Sequence, residues 1–147
     1  MSNLMSERLA LVGVLNPGAT AAGTTTTAWI DMSKTPQLLA IIAAGAIGTN
    51  ATIDAKFQQA TSAAGAGAKD ITAKAITQFT QAGTDKSNKQ AQINLRAEEL
   101  DRSNGFQFVR LSMTVAVATS GAAAVVLGSA ARYSPPTPAA SVLETIN

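Results

Sequence analysis

The sequence holds no cysteine and no histidine. Without cysteine there is no disulfide, no thiolate nucleophile and no Cys-ligated zinc site, and the redox compartment stays open. Without histidine the commonest general base, the Ser-His-Asp triad and most transition-metal sites drop out. An enzyme would have to work with Asp, Glu, Lys, Tyr or Ser alone. Aromatics are 4% of 147 residues, with four Phe, one Trp and one Tyr. The core must therefore be built from Ala, Val, Leu and Ile. Small side chains bury little area, so a lone subunit gains little per residue and association would help. Charge is sparse too, at 14% of residues and a net +2. The basic pI of 9.2 comes from that small excess. No run of Lys and Arg tracks a phosphate backbone, so no nucleic-acid partner is expected.

Long hydrophobic runs need a decision between membrane and sheet. Leu111 to Ala131 carries no charge and is long enough to span a bilayer as a helix. Its middle, Thr119-Ser120-Gly121, instead reads as a turn joining Leu111–Val117 to Ala123–Gly128 in a β-hairpin. Thr35 to Ile53 is broken by Gly45, Gly48, Thr49 and Asn50. Met1 to Ala10 lacks the order of a signal peptide. The expectation is a soluble protein with no membrane partner and no export signal.

The remaining pattern is that of an all-β chain. Arg8 to Leu15 reads as a buried strand ended by a turn at Asn16-Pro17-Gly18. Thr24 to Met32 is a β-branched run around Trp29. Gln37 to Ile47 is an apolar strand that could be buried on both faces. Ala51 to Gln59 alternates, with Ile53, Ala55 and Phe57 on one side and Thr52, Asp54, Lys56 and Gln58 on the other. Lys69 to Thr80 holds a short strand or two, Gln81 to Lys89 a polar loop, and Gln90 to Arg96 another strand. Ala97 to Asp101 suits a helical turn, and Ser103-Asn104-Gly105 a turn that tolerates positive φ. Ser134 to Pro138 stops the last strand. About eight short strands at this spacing predict an antiparallel β-sandwich or a jelly-roll-like barrel. The division expected is an N-terminal arm over 1–7, a β-sandwich domain over 8–134 and a Pro-rich tail over 135–147, with both arms extended.

Few residues offer chemistry. Ala64 to Ala68 is Gly-rich but lacks the ending of a phosphate loop. Glu98, Glu99 and Asp101 lack the alternating ligand spacing of a calcium loop and read as a solvated turn. Thr24 to Thr27 reads as a strand of high β propensity. The candidate contact residues are Phe106, Phe108 and Arg110. In a strand whose inner row is Val109, Leu111, Met113, Val115 and Val117, they fall on the outer face, and Phe and Arg are enriched at interface hot spots. A bulge near Phe108, turning one Phe inward, is the alternative. Arg132 and Tyr133 close the last strand. Arg132 suits a bidentate pair with a carboxylate of a neighbouring subunit, or with Glu98, Glu99 or Asp101 of its own chain.

Several fragments carry a resemblance: Trp29-Ile-Asp-Met-Ser-Lys34, Thr52-Ile-Asp-Ala-Lys-Phe-Gln-Gln59, Lys69-Asp-Ile-Thr72, Glu99-Leu-Asp101, Asn104-Gly-Phe-Gln-Phe-Val-Arg-Leu111 and Arg132-Tyr-Ser-Pro135. Together they resemble small structural proteins from the head gene clusters of tailed bacteriophages, across roughly residues 8–135. The resemblance implies a head decoration, or cement, protein: a β-rich virion protein, often trimeric, on the outer capsid surface. Its partners would be the major capsid protein and copies of itself, with no active site and no cofactor. Met1 to Glu7 and the C-terminal tail would be its arms. Tail tube, head–tail joining or head fibre are other structural roles of the same kind. A carbohydrate-binding module is a further alternative, though Trp29 and Tyr133 are few stacking platforms. A polysaccharide-degrading enzyme would need two of Asp54, Glu98, Glu99 and Asp101 facing each other across a cleft.

Overall fold

A computed structural model describes residues 4–129 and 137–146 of the chain. One turn of helix, α1 (Met5–Arg8), precedes ten strands: β1 (Leu9–Thr20), β2 (Gly23–Thr26), β3 (Ile30–Asp31), β4 (Gln37–Ala44), β5 (Thr52–Ala60), β6 (Lys69–Ala75), β7 (Phe79–Thr80), β8 (Gln90–Arg96), β9 (Phe108–Ala116) and β10 (Ser120–Ser129). Short 3-10 turns at Ala97–Glu99 and Arg102–Asn104 join β8 to β9. The helical turn expected at Ala97 is therefore present. Met5–Arg8 is helical, where an extended arm was expected.

The strands form two antiparallel sheets. The first, sheet A, has the order β1-β10-β4-β8, and the second, sheet B, the order β2-β9-β5-β6, with β3 on β9 and β7 on β5. Four antiparallel pairs explain this order: β1 with β10, β2 with β9, β4 with β8, and β5 with β6. They are successive rungs of one long hairpin. Folding that ribbon over brings β10 beside β4 and β9 beside β5. This is a jelly roll, the double Greek-key form of the β-sandwich.

One apolar cluster fills the space between the sheets. Sheet B contributes its large side chains, Phe57, Ile53, Leu111, Met113 and Val115, all at most 1% exposed. Sheet A contributes many small ones, including Ala40, Ala44, Ala122 and Ala124. Together with Leu38, Ile42, Leu95 and Val126 of the same sheet, they let the layers interdigitate at native density despite few aromatics.

Three features of the chain path depart from the expectations. The expected hairpin at Thr119-Ser120-Gly121 is a crossing: β9 lies in sheet B and β10 in sheet A. Val117 takes φ 75, leaves the inner row where it was expected, and is 71% exposed. That single left-handed residue turns the chain across the sandwich. The crossing is then held by Ser120, whose Oγ accepts from Gly48 N at 3.0 Å and donates to the Ala118 carbonyl at 3.2 Å. Next, Asn16-Pro17-Gly18 does not end β1, which runs on to Thr20. The register against β10 slips between Leu15 and Gly18, so the proline is absorbed by a bulge on an edge strand. Finally, the Thr24 to Met32 run is split. Thr27 turns inward, exchanging backbone and side-chain hydrogen bonds with Leu111, and separates β2 from β3.

The crossing makes Gly48 a sensitive position. A Cβ there would stand 2.5 Å from the Thr119 carbonyl oxygen and 2.9 Å from the Ala118 Cβ. Backbone cannot step aside as a flexible side chain would. Gly48→Ala is expected to cost about 1–3 kcal/mol, a fall of several degrees in Tm by calorimetry. A midpoint within one degree of wild type would contradict this path for the crossing.

Candidate interaction surfaces

Each sheet has an outer face, and the two differ in chemistry. On sheet B the register from Ala116 to Phe108 against β5 is unbroken, so the alternative of a bulge near Phe108 does not occur. Phe108 and Arg110 lie on the outer parity and are half-buried. Phe106 does not join their row. It precedes the strand, behind the left-handed Gly105, and is buried at 9% exposure with Lys69 Nζ 4.2 Å from its ring centre.

Arg110 is the centre of a cross-strand row. Its guanidinium lies 4.6 Å from the Trp29 ring centre, and its Nε donates to Gln58 Oε1 at 2.9 Å. Gln58 Nε2 donates to Asp70 Oδ1 at 2.9 Å, and Lys56 Nζ meets Asp70 Oδ2 at 2.7 Å. Trp29 is closed on a second side by Gly65, where a Cβ would fall 2.7 Å from the indole nitrogen. The indole is half-buried, with Arg110 over its ring and the Gly65 backbone close to its nitrogen. Arg110 thereby takes ring surface that a stacked sugar would use. Further rungs of this face are polar: Thr24 Oγ1 to Thr114 Oγ1 at 2.8 Å, and Gln78 Nε2 to Asp54 Oδ2 at 2.7 Å.

The acidic cluster after β8 is an ion-pair hub. Glu98 pairs with Arg96 at 3.1 Å, Glu99 with Lys74 at 2.9 Å and Asp101 with Lys69 at 2.6 Å. Asp101 also accepts from Asn104 and Ser103. The Lys74 ammonium, then the Arg96 backbone N–H, hold Glu99 below its ordinary value. Lys69, then Asn104, do the same for Asp101, and Lys56, then Gln58, for Asp70. Carboxyls lowered by folding add stability above their unfolded values of 3.8 for Asp and 4.5 for Glu, and lose it as pH falls through the folded values. These pairs are largely solvent-exposed, so the effect is small. With no histidine to titrate, Tm should be flat from about pH 8 to 5 and fall by a few degrees below about pH 4. A midpoint step near pH 6–7 would contradict this. Among the described residues, no group of three or more His, Cys, Asp or Glu could hold a metal ion, and no helix is long and apolar enough to cross a membrane. Arg132 and Tyr133 lie outside the described residues.

The outer face of sheet A is the surface that the sequence reading missed. Its rungs are Leu11·Leu127·Leu39 and Val14·Val125·Ile41, with Ala123·Ala43 beyond. All of these side chains are partly exposed. β1, β10 and β4 contain no charged residue. Only β8, at the edge, is polar outward, through Gln90, Gln92, Asn94 and Arg96. The signal was the unbroken apolar run of β4 and its match in β10, where a wet face would show alternation. The second face expected for β4 is there, and the described residues leave it partly exposed.

No family model matches the chain, and no curated protein matches it. Among solved structures, it is similar to a chain in the structure of infectious bursal disease virus, Gx strain, with 8% identity and a TM-score of 0.39. The likeness covers 87% of this chain and 33% of that one, so this chain spans about a third of the other's length.

Proposed function

We propose that this chain is a structural protein of a virus particle that acts by binding, and specifically a decoration protein on the outer surface of a bacteriophage capsid. The observation that carries the binding role is the aliphatic outer face of sheet A. Contiguous apolar patches of this kind mark interaction surfaces, because leaving them in water forfeits the gain of burial. The capsid assignment rests on the fragments from Trp29 to Pro135 that resemble phage head proteins. The jelly roll is compatible with it, since viral capsid domains use this fold, but so do lectins and cupins, and fold alone assigns no function. In this reading sheet A serves self-association, as a trimer, and the Trp29–Arg110–Phe108 patch of sheet B meets the major capsid protein. No cofactor, nucleic acid or membrane takes part, and the protein works in the virion after assembly in the host cytoplasm.

The test is co-sedimentation of the purified protein with empty capsids of its phage. Binding to assembled capsids and not to free capsid subunits is expected. Phe108→Ala should lower occupancy several-fold with Tm within a few degrees of wild type. Capsids that stay bare would overturn the decoration role, and stacked tubes or rings of the pure protein would move it to the tail or neck.

A further inference from the structure

The chain carries both a partly exposed aliphatic seat and a fully exposed aliphatic segment. The seat is the outer face of sheet A, formed by Leu11, Leu39, Ile41, Val125 and Leu127. The segment is the C-terminal stretch 137–146, in which Leu143 is 98% exposed and Ile146 85% exposed. No side chain of the domain shields either residue.

The two are brought to the same edge. Ala139 N donates to the Leu11 carbonyl at 2.6 Å, so the segment begins on β1, the edge strand of sheet A. Leu11 is itself part of the seat. Leu143 lies four positions and Ile146 seven positions beyond Ala139, past a turn over Ala140 and Ser141 in which Val142 N donates to the Ala139 carbonyl at 2.9 Å. With that turn opened and the segment fully extended, these reach at most about 14 Å and about 24 Å. Three strands at about 4.8 Å spacing are narrower than that. The segment is long enough to cross the aliphatic strands, and it carries no positive charge to repel Arg96 at the rim.

We infer that the segment over residues 137–146 of one copy seats Leu143 and Ile146 on the outer face of sheet A of a second copy. This deepens the reading of that face as the self-association surface and rests on it. Within one chain Leu143 and Ile146 stay wet and the seat stays partly so. Exchange covers both at once, and the same contact repeated by symmetry closes into a reciprocal pair or a ring of three. The contact of Ala139 with Leu11, on the edge strand of sheet A, marks where the segment leaves its own domain.

The experiment compares the native mass of the full chain, a chain ending at Ala139, and a full chain carrying Leu143→Ser and Ile146→Ser. The full chain is expected to be a multiple of 14.9 kDa. Both altered chains should be monomers with unchanged circular dichroism. A synthetic peptide of residues 137–147 should bind the shortened chain, and Ile41→Thr in that chain should weaken binding at least tenfold. A monomeric full chain, or shortened chains that keep the full multiple, would overturn the exchange. Capsid binding is read separately. An oligomer that dissolves on shortening but ignores capsids sinks the decoration reading and leaves the exchange standing. A protein that coats capsids but keeps its mass on shortening does the reverse.

Discussion

Phe57→Ala is expected to remove about 3–5 kcal/mol of stability, read by chemical denaturation at neutral pH. A domain of this kind has roughly 5–15 kcal/mol in total, so the variant would sit near the edge of folding. The reason lies in the scarcity of aromatics. Of the four Phe, Phe57 alone is 0% exposed; Phe79 and Phe106 sit at 9%, and Phe108 is half-buried. It stands opposite Leu111 on the inner face of sheet B, in a core that mixes Ala40, Ala44, Ala122 and Ala124 of sheet A with Leu38, Ile42, Leu95 and Val126. The alanines have no longer side chain to swing into the space, and the close packing of the larger neighbours limits their movement, so most of the cavity cost is felt. Phe57→Leu should cost clearly less. A loss under 1 kcal/mol for Phe57→Ala would mean that the core is loosely packed and collapses around the site.

Ile41→Lys should have the opposite signature: little loss of fold, and loss of assembly. Ile41 lies at the centre of the outer face of sheet A, between Val125 and Gln92. A lysine there can lay its methylenes along the sheet and keep its ammonium in water, so the monomer tolerates it. A partner seated on the face cannot, because it would bury an unpaired charge. The native mass should fall to that of one chain while the far-ultraviolet spectrum is kept. Ile41→Thr, a good strand former, guards against misfolding and should weaken association in the same direction. An unchanged oligomer with both variants would remove this face from the assembly.

Much of the fold was legible because alternation survives wherever one face is wet. β5 shows it best: Ile53, Ala55 and Phe57 are buried and Thr52, Asp54, Lys56 and Gln58 are not. The inner row of β9 was legible for the same reason, up to Val115. What followed was not, because the path past Ala116 depends on Val117 taking a left-handed conformation. A β-branched residue gives no sign of that in advance. Thr-Ser-Gly looks like a hairpin turn, and only the distant partner Gly48 reveals that Ser120 caps a crossing instead. Pro17 misled similarly, since an edge strand can bulge around a proline that a central strand would reject.

The candidate surface was legible in part. Phe108 and Arg110 face outward, as their parity required, but the loop after Arg102 folds Phe106 under Lys69, which no local pattern announces. The stack of Trp29 on Arg110 joins residues far apart in sequence and depends on the split between β2 and β3. The aliphatic face of sheet A was written in β4 and β10 as runs without alternation. Such runs state that both faces avoid water and leave open what covers the second.

The absence of cysteine allows that question to be put directly. Val125→Cys would introduce a single thiol in the middle of the outer face of sheet A, and Lys56→Cys a control on the outer face of sheet B. The rate of modification by a small thiol reagent is then measured across protein concentration and on capsids. If the aliphatic face is an assembly surface, the Val125→Cys thiol reacts at least tenfold more slowly in the oligomer than at high dilution. The Lys56→Cys thiol should change little between dilute and oligomeric protein. Equal rates for Val125→Cys in dilute, concentrated and capsid-bound protein would contradict the account, because the face would then stay in water in every state.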